Sequence, residues 1–196
     1  MLLYLHGFAS SGNATKARIL KEFTQQNRDK INDIVVSPNL SEIPVKAVDN
    51  ICSIIEKANE KVIVFGSSLG GFYATYACYK YNSPAVLINP AVEPHIALES
   101  VVGINKNYST GAVFEFKKEY LSQLEKYYRN INPEKLDYYK LILMAAKDDE
   151  LLDYKFTIKY FRNKINKLIL EEKSGHEFMT FRDCLPKVFE FLGYNL

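Results

Sequence analysis

The sequence predicts an α/β fold, with a mostly parallel sheet of about six strands and helices on both faces. Short apolar runs rich in β-branched residues recur along the chain, and each reads as a buried strand. Segments with helical spacing of their apolar residues separate these runs, so that strand and helix patterns alternate along the chain. Such alternation is typical of a parallel sheet built from βαβ units.

The first half of the chain contains three predicted strands, at residues 2–6, 33–37 and 62–65. Pro38 ends the second of them, because proline cannot donate to a sheet ladder. Helices are predicted over residues 14–29, from Pro44 through Ile55 and over residues 72–81. Pro44 suits the first turn of its helix, where the missing N–H costs nothing.

The second half contains predicted strands at residues 85–89, 141–146 and 167–170, and helices at 153–164 and 182–192. Asp153 is a candidate N-cap, and Pro186 is expected to break the last helix near its start. Residues 91–139 have no strand pattern of comparable quality, and residues 92–136 are a candidate helical lid segment. Without a linker or repeat, residues 1–196 are predicted to form one domain.

Composition excludes several classes of protein. The 47% hydrophobic and 24% charged residues are those of a globular domain, and a net charge of +2 without a basic cluster gives no support to nucleic-acid binding. No apolar run is long enough to span a membrane, and no signal-peptide pattern is present, so we expect a cytoplasmic location. The three cysteines are widely spaced and lack metal-ligand spacing to a histidine, which predicts reduced cysteines and no metal or other cofactor.

The segment Gly66-Ser67-Ser68-Leu69-Gly70 matches the pattern G-x-S-x-G and lies between a predicted strand and a predicted helix. A strand, a sharp turn with serine at its tip and a helix form the nucleophile elbow of α/β-hydrolases. Ser68 has glycine two residues before and after it, whereas Ser67 does not, so Ser68 is the candidate nucleophile. A Cβ atom at Gly66 or Gly70 is expected to collide with neighbouring backbone. The alternative is an ordinary βα turn whose glycines serve packing only.

A serine nucleophile needs a base and an acid, which in this fold follow it in the order acid, histidine, each after a strand. His176 follows the sixth predicted strand and is the candidate base, since the other two histidines, His6 and His95, follow the first and fourth strands. Asp149 is the favoured acid after the fifth strand. Asp148 remains open as the alternative, and its neighbours Glu150 and Asp153 are explained as solvated charge and a helix cap.

An oxyanion hole requires two backbone N–H groups aimed at the developing negative charge. The first is expected from Leu69, the residue after the nucleophile, and the second from Phe8 or Ala9 in the loop after the first strand. His6 precedes this loop, and we expect it to be a buried histidine that pins the loop.

Several segments together resemble the YqiA/YcfP family of small bacterial α/β-hydrolase-fold esterases. The resemblance spans essentially the whole chain and is carried, in order, by residues 4–8 (YLHGF), 66–75 (GSSLGGFYAT), 89–92 (NPAV), 108–111 (YSTG), 149–154 (DELLDY) and 175–178 (GHEF). It implies a reduced α/β-hydrolase fold that lacks the first two strands of larger members. It also implies esterase or thioesterase activity with Ser68, Asp149 and His176 as the triad, and the Asp-Glu pair at residues 149–150 supports Asp149 as its acid.

The sequence therefore predicts a serine hydrolase whose partner is a small-molecule acyl ester or thioester, cleaved through an acyl-enzyme intermediate. The alternatives are an acyltransferase that uses the same triad, a peptidase, and a non-catalytic ligand-binding protein on the same scaffold. Apolar side chains in the candidate lid suit an acyl chain or simply pack on the sheet; they are Tyr108, Phe114, Phe116, Tyr120, Leu121, Leu124, Tyr127 and Tyr128. The oligomeric state is left open.

Overall fold

The structure, a computed structural model, describes residues 1–136 and 140–196. The end of the stretch predicted to lack strands, residues 137–139, lies outside the described residues. The first half of the chain contains β1 (Leu2–Leu5), α1 (Thr15–Gln26), β2 (Val35–Val36), α2 (Pro44–Lys57), β3 (Ile63–Ser67), α3 (Leu69–Tyr81) and β4 (Ala85–Ile88). The second half contains α4 (Pro94–Ala97), β5 (Gly103–Lys106), β6 (Val113–Phe116), α5 (Lys118–Asn130), β7 (Leu141–Ala146), α6 (Tyr154–Tyr160), β8 (Lys167–Glu171) and α7 (Phe181–Phe191).

The main sheet has six strands in the order β2-β1-β3-β4-β7-β8, and every neighbouring pair is parallel. This confirms the predicted fold class. Because all six strands run in the same direction, their carboxyl ends meet at one edge of the sheet, where ligands bind in open α/β folds. The loops after β1, β3, β7 and β8 carry the candidate site residues to this edge.

Each face of the sheet is covered by helices. One core combines Leu3 and Leu5 of β1 with the apolar sides of α2, α3 and α5, and the other combines Leu2 and Tyr4 with those of α1 and α7. Side chains of a strand point to alternate faces, so neighbouring residues of β1 enter different cores. Burial on both sides explains why these strands are apolar throughout.

A second sheet consists of the antiparallel hairpin β5–β6, which lies within the segment expected to be helical. The sequence analysis did not predict this hairpin, because the strands have four residues each and every second position is exposed. Its inner face packs Phe114 and Phe116 edge-on against Phe8, with ring centroids 5.6 and 5.0 Å away. The hairpin thereby rests on the loop that follows β1.

The predicted break at Pro186 is wrong, because α7 runs without interruption from Phe181 to Phe191 and includes the proline. Proline removes one helical hydrogen bond, but the apolar face of α7 is fully packed and keeps the helix in place. Its buried residues are Phe181, Cys184, Leu185, Val188 and Phe189. The predicted N-cap is confirmed, since the Asp153 carboxylate accepts the N–H of Lys155 at 2.8 Å at the start of α6.

The three cysteines, Cys52, Cys78 and Cys184, are buried. Burial raises the pKa of the Cys184 thiol to about 11. Throughout the described part of the chain, every helix is too short or too polar to cross a bilayer.

Candidate active site

Ser68 lies at the turn between β3 and α3, with φ 53° and ψ −119°. This conformation is unusual for a residue with a side chain and is characteristic of strained functional turns. The main chain of Ser68 is held on both sides, since its N–H donates to Ile88 O and its carbonyl accepts from Ala91 N–H, both at 3.0 Å. The side chain is therefore presented at a fixed point at the carboxyl edge of the sheet.

The two glycines of the elbow permit close backbone approach, as the sequence predicts. A Cβ atom on Gly66 would lie 2.1 Å from the Gly70 carbonyl oxygen, and one on Gly70 would lie 2.0 Å from that of Leu5. Real Cβ atoms do not approach oxygen atoms this closely. The glycines thus allow α3 to begin directly against β1 and β3.

His176 and Asp149, which are separated by 27 residues in the chain, are joined by a hydrogen bond. His176 Nδ1 lies 3.0 Å from each carboxylate oxygen of Asp149. The Asp149 side chain is 2% exposed and that of His176 11%. Asp149 Oδ1 also accepts the N–H groups of Leu151 and Leu152, both at 2.9 Å. A carboxylate held in this way favours the imidazole tautomer with a proton on Nδ1, which leaves Nε2 free to accept a proton.

The other acidic side chains near Asp149 have different partners. The Asp148 carboxylate accepts the N–H groups of Ser174 and Gly175 at 2.8 Å, and these bonds lower its pKa. Glu150 Oε2 accepts the His176 N–H at 3.0 Å. Both carboxylates therefore hold the backbone of the loop that carries His176, whereas Asp149 alone of the three contacts its imidazole.

Ser68 and His176 line the same cavity, which has a volume of about 490 Å³. Phe8, Leu69 and Tyr108 also line it. Within residues 1–136 and 140–196, the Ser68 hydroxyl and the His176 imidazole are not hydrogen-bonded to each other. Hydrogen bonds of catalytic groups are often long in unliganded enzymes and tighten when substrate is bound.

The predicted oxyanion donors, Leu69 and Phe8, both line the cavity with Ser68. Leu69 is the first residue of α3, and Phe8 follows β1. Neither N–H group has a hydrogen-bond acceptor within the described part of the chain, so both are available to a ligand in the cavity. The alternative donor, Ala9, has φ 52°, and its carbonyl oxygen accepts the N–H of Tyr108 at 2.7 Å.

The remaining histidines have other environments. His6 is buried, its Nδ1 lies 2.8 Å from Gly7 O, and its Nε2 accepts the N–H of Leu40 at 2.9 Å. His6 therefore joins the loop after β1 to residues 39–41, which is the pinning role that the sequence predicts. His95 lies in α4 with its ring 5.1 Å from that of Tyr128 and does not line the cavity.

Sequence reasoning missed two polar residues at this site. Lys16 lines the cavity, is 7% exposed and pairs with Glu177 through a 2.9 Å contact. The Lys16 ammonium lowers the pKa of the Glu177 carboxyl. Asn89 is 4% exposed and binds the loop that carries His176. The sequence did not distinguish Lys16 from the other polar residues of its predicted helix. Asn89 belonged to the Asn-Pro-Ala-Val segment of the family resemblance, but nothing in the sequence indicated a role for its side chain.

A cluster suited to metal binding is absent from residues 1–136 and 140–196, where no three His, Cys, Asp or Glu side chains are grouped to hold an ion. What the carboxyl edge does offer is a serine in an elbow, two N–H groups without acceptors, and a histidine bound to a buried carboxylate. Such an arrangement can activate a hydroxyl group and stabilise an oxyanion without a cofactor.

The parallel strand order and the geometry of the elbow together define an α/β-hydrolase fold. Solved structures of other proteins have a similar fold. Est1E from Butyrivibrio proteoclasticus, solved with bound ferulic acid, has a TM-score of 0.70 and 14% identity, covering 98% of this chain and 89% of that one. Alpha/beta hydrolase domain-containing protein 10 from mouse has a TM-score of 0.70 and 15% identity, covering 97% and 90%. At these identities the similarity shows the fold.

The chain belongs to the uncharacterised protein family UPF0227, whose family model matches residues 1–193. This match confirms the resemblance to the YqiA/YcfP family. UPF0227 protein YE1706 of Yersinia enterocolitica is 23% identical over 98% of this chain and 100% of its own length. UPF0227 protein ECA1814 of Pectobacterium atrosepticum is 21% identical with the same coverage.

Proposed function

We propose that this chain is a serine hydrolase that cleaves carboxylic esters or thioesters. The observation that carries the proposal is the hydrogen bond from His176 to the buried carboxylate of Asp149, beside the cavity that Ser68 also lines. The names of the structural neighbours, several of which are esterases, support an ester as the substrate. Thioester cleavage rests on the family resemblance alone.

In the proposed reaction the Ser68 hydroxyl attacks the acyl carbonyl while His176 Nε2 takes its proton. Asp149 orients the imidazole and stabilises its charged form. The N–H groups of Leu69 and Phe8 hold the oxyanion, and loss of one such donor typically costs about 10²- to 10³-fold in turnover. His176 then protonates the leaving group, and a water molecule that it activates hydrolyses the acyl-Ser68 intermediate.

Two further expectations belong to this proposal. The segment of residues 92–136 covers the cavity as a lid, since Tyr108 and Val101 line the cavity and the β5–β6 hairpin packs on Phe8. A cytoplasmic location is supported by the odd number and wide spacing of the three cysteines, which favour reduced thiols.

The test is labelling with a fluorophosphonate probe, with adducts counted by intact mass. Wild type is expected to carry one adduct and Ser68→Ala none. Ser67→Ala is the matched control, because Ser67 is the last residue of β3 and carries the neighbouring hydroxyl, so its removal should leave labelling intact. Hydrolysis of esters and acyl-thioesters of graded chain length then gives the substrate preference, and added alcohols or amines detect acyl transfer.

Labelling that persists in Ser68→Ala would show that another residue is the nucleophile. A folded wild type that takes no label would overturn the hydrolase proposal and favour a ligand-binding role for the cavity.

A further inference from the structure

Asn89 connects the loops that carry the acid and the base. It directly follows β4, and its Oδ1 accepts the N–H of Ala146 at 2.9 Å, at the end of β7 just before the Asp148-Asp149 loop. Its Nδ2 donates to the carbonyl oxygens of Gly175 and His176, at 2.9 and 3.0 Å. All three side-chain hydrogen bonds of Asn89 thus go to backbone beside Asp149 or at His176.

The backbone of Asn89 is equally constrained. Its N–H donates to Met144 O at 2.9 Å, and its φ of 39° is a left-handed value that asparagine tolerates better than most residues. Two residues later, the N–H of Ala91 donates to Ser68 O at 3.0 Å. This short segment after β4 therefore contacts the elbow on one side and the acid and base loops on the other.

Only an amide of this length satisfies these partners. The Oδ1 position faces the Ala146 N–H and must accept a hydrogen bond. The Nδ2 position faces the carbonyl oxygens of Gly175 and His176 and must donate two hydrogen bonds. Aspartate would place a carboxylate oxygen against both carbonyls. An aliphatic residue would remove the acceptor of the Ala146 N–H and the side-chain donor to the His176 carbonyl, and would leave the Gly175 carbonyl with the Phe178 N–H at 3.1 Å. Losing these hydrogen bonds is costly, because Asn89 is buried.

The loop of His176 is held from two sides. Its N–H groups are bound by Asp148 and Glu150, whose residues are exposed to solvent. Its carbonyl groups are bound by Asn89, which is buried beneath the loop. Solvent can replace the outer contacts more readily than the inner ones, because the Asn89 amide is buried.

We propose that Asn89 is a positioning residue that sets the direction of the His176 imidazole relative to Asp149 and Ser68. The inference rests on the proposed function, since it concerns the same base. The Asn89 side chain ties the end of β7 to the His176 backbone from the buried side, in addition to the contacts of Asp148 and Glu150, and so helps to fix the acid and the base relative to each other. Misplacement of a catalytic group by about 1 Å can cost on the order of 10²-fold in rate.

The test uses Asn89→Gly and Asn89→Asp. Glycine removes the amide and tolerates the positive φ, so backbone strain does not confuse the result. Aspartate keeps the size and places a negative charge beside His176. Asn27→Asp is the matched control, because Asn27 Nδ2 also donates to a carbonyl, that of Phe23, but at the far end of α1.

The first readout is the rate constant of fluorophosphonate labelling across pH 5 to 9, measured beside thermal unfolding. Asn89→Gly is expected to label about 10²-fold more slowly than wild type while still folded. Asn89→Asp is expected to shift the pH midpoint of labelling upward, because a nearby negative charge favours the protonated imidazole. A purely structural role would lower the melting temperature without changing the rate constant or midpoint of the folded protein.

The second readout does not depend on activity. The chain has three histidines, so the His176 ring signals can be followed in an NMR pH titration. Asn89→Gly is expected to change the titration and tautomer signals of His176 and to leave those of His95 unchanged. Unchanged His176 signals together with a wild-type labelling rate would overturn the proposal. An unlabelled wild type whose His176 signals still respond would instead count against the hydrolase function alone.

Discussion

The Nδ1 atom of His176 lies 3.0 Å from both carboxylate oxygens of Asp149, whose side chain is almost fully buried. The carboxylate also accepts the N–H groups of Leu151 and Leu152, so it cannot turn away from the imidazole without losing these bonds. Asp148 precedes it in the chain, yet its carboxylate binds only backbone. The sequence favoured Asp149 and left Asp148 open, and the hydrogen bond to His176 supports Asp149 as the proposed acid.

Asp149→Asn is therefore expected to reduce kcat by about 10³- to 10⁴-fold, because an amide stabilises neither the correct tautomer nor the imidazolium. Asp148→Asn keeps an oxygen that can accept the Ser174 and Gly175 N–H groups and is expected to cost about 10-fold or less. Steady-state hydrolysis of a chromogenic ester measures both. A larger loss in Asp148→Asn than in Asp149→Asn would transfer the acid role to Asp148.

The sequence predicted those parts of the fold whose signal is local. A strand that is buried on both faces is a continuous apolar run, and this made β1, β3, β4 and β7 recognisable from their own residues. The elbow was recognisable in the same way, because its close backbone approach requires glycines at fixed positions around Ser68. The hairpin β5–β6 was missed because its strands are short and half-exposed, and Pro186 was overvalued because the packing of α7 outweighs one lost hydrogen bond. Asn89 and Lys16 matter through partners 57 to 161 residues away, which no local pattern reveals.

The pH dependence of stability should reflect His6. Burial lowers its pKa, and its Nε2 must be unprotonated to accept the Leu40 N–H, so the folded state favours the neutral ring. Its contribution is fully present above the unfolded pKa of about 6.5 and is lost as pH falls through the lower folded value. The urea midpoint of wild type is expected to decline as pH falls below about 6.5, above the range where carboxylates titrate.

His6→Gln removes this titration, so its urea midpoint should vary less over the same interval. His95→Gln serves as the comparison, because it replaces an imidazole in α4 whose ring packs on Tyr128 rather than accepting a backbone N–H. An identical decline in wild type and His6→Gln would assign the pH dependence to another group.

Gly70→Ala should strongly destabilise the protein. The added Cβ would lie 2.0 Å from Leu5 O and 2.7 Å from His6 O, and both atoms belong to backbone that cannot move without shifting β1. We expect a loss of more than about 3 kcal/mol in the free energy of unfolding. Gly193→Ala is the control: nothing lies within 4 Å of its added Cβ, and only its φ of 91° is unfavourable, which costs about 1–2 kcal/mol. Similar losses in the two variants would mean that the elbow relaxes to accommodate the methyl group.

The pair between Lys16 and Glu177 joins a buried ammonium to a carboxylate that is largely in solvent, with 8% and 80% of the side chains exposed. Removing the two partners should therefore have unequal effects. Glu177→Ala leaves a buried charge without its partner and is expected to cost about 1–3 kcal/mol of unfolding free energy. Lys16→Met keeps the apolar stem and removes the charge, so it should change stability by less than about 1 kcal/mol.

Urea unfolding of the two single variants and the double variant measures this asymmetry. Lys16→Met in the Glu177→Ala background should recover most of the lost stability, because no uncompensated charge then remains. Glu172→Ala is the control, since it removes the partner of Lys147, a more exposed lysine, and should leave stability nearly unchanged. Equal losses of unfolding free energy in Glu177→Ala and Lys16→Met would contradict this expectation. They would mean that the ion pair between α1 and the loop after His176 stabilises the fold directly, and that the burial of the Lys16 charge costs little.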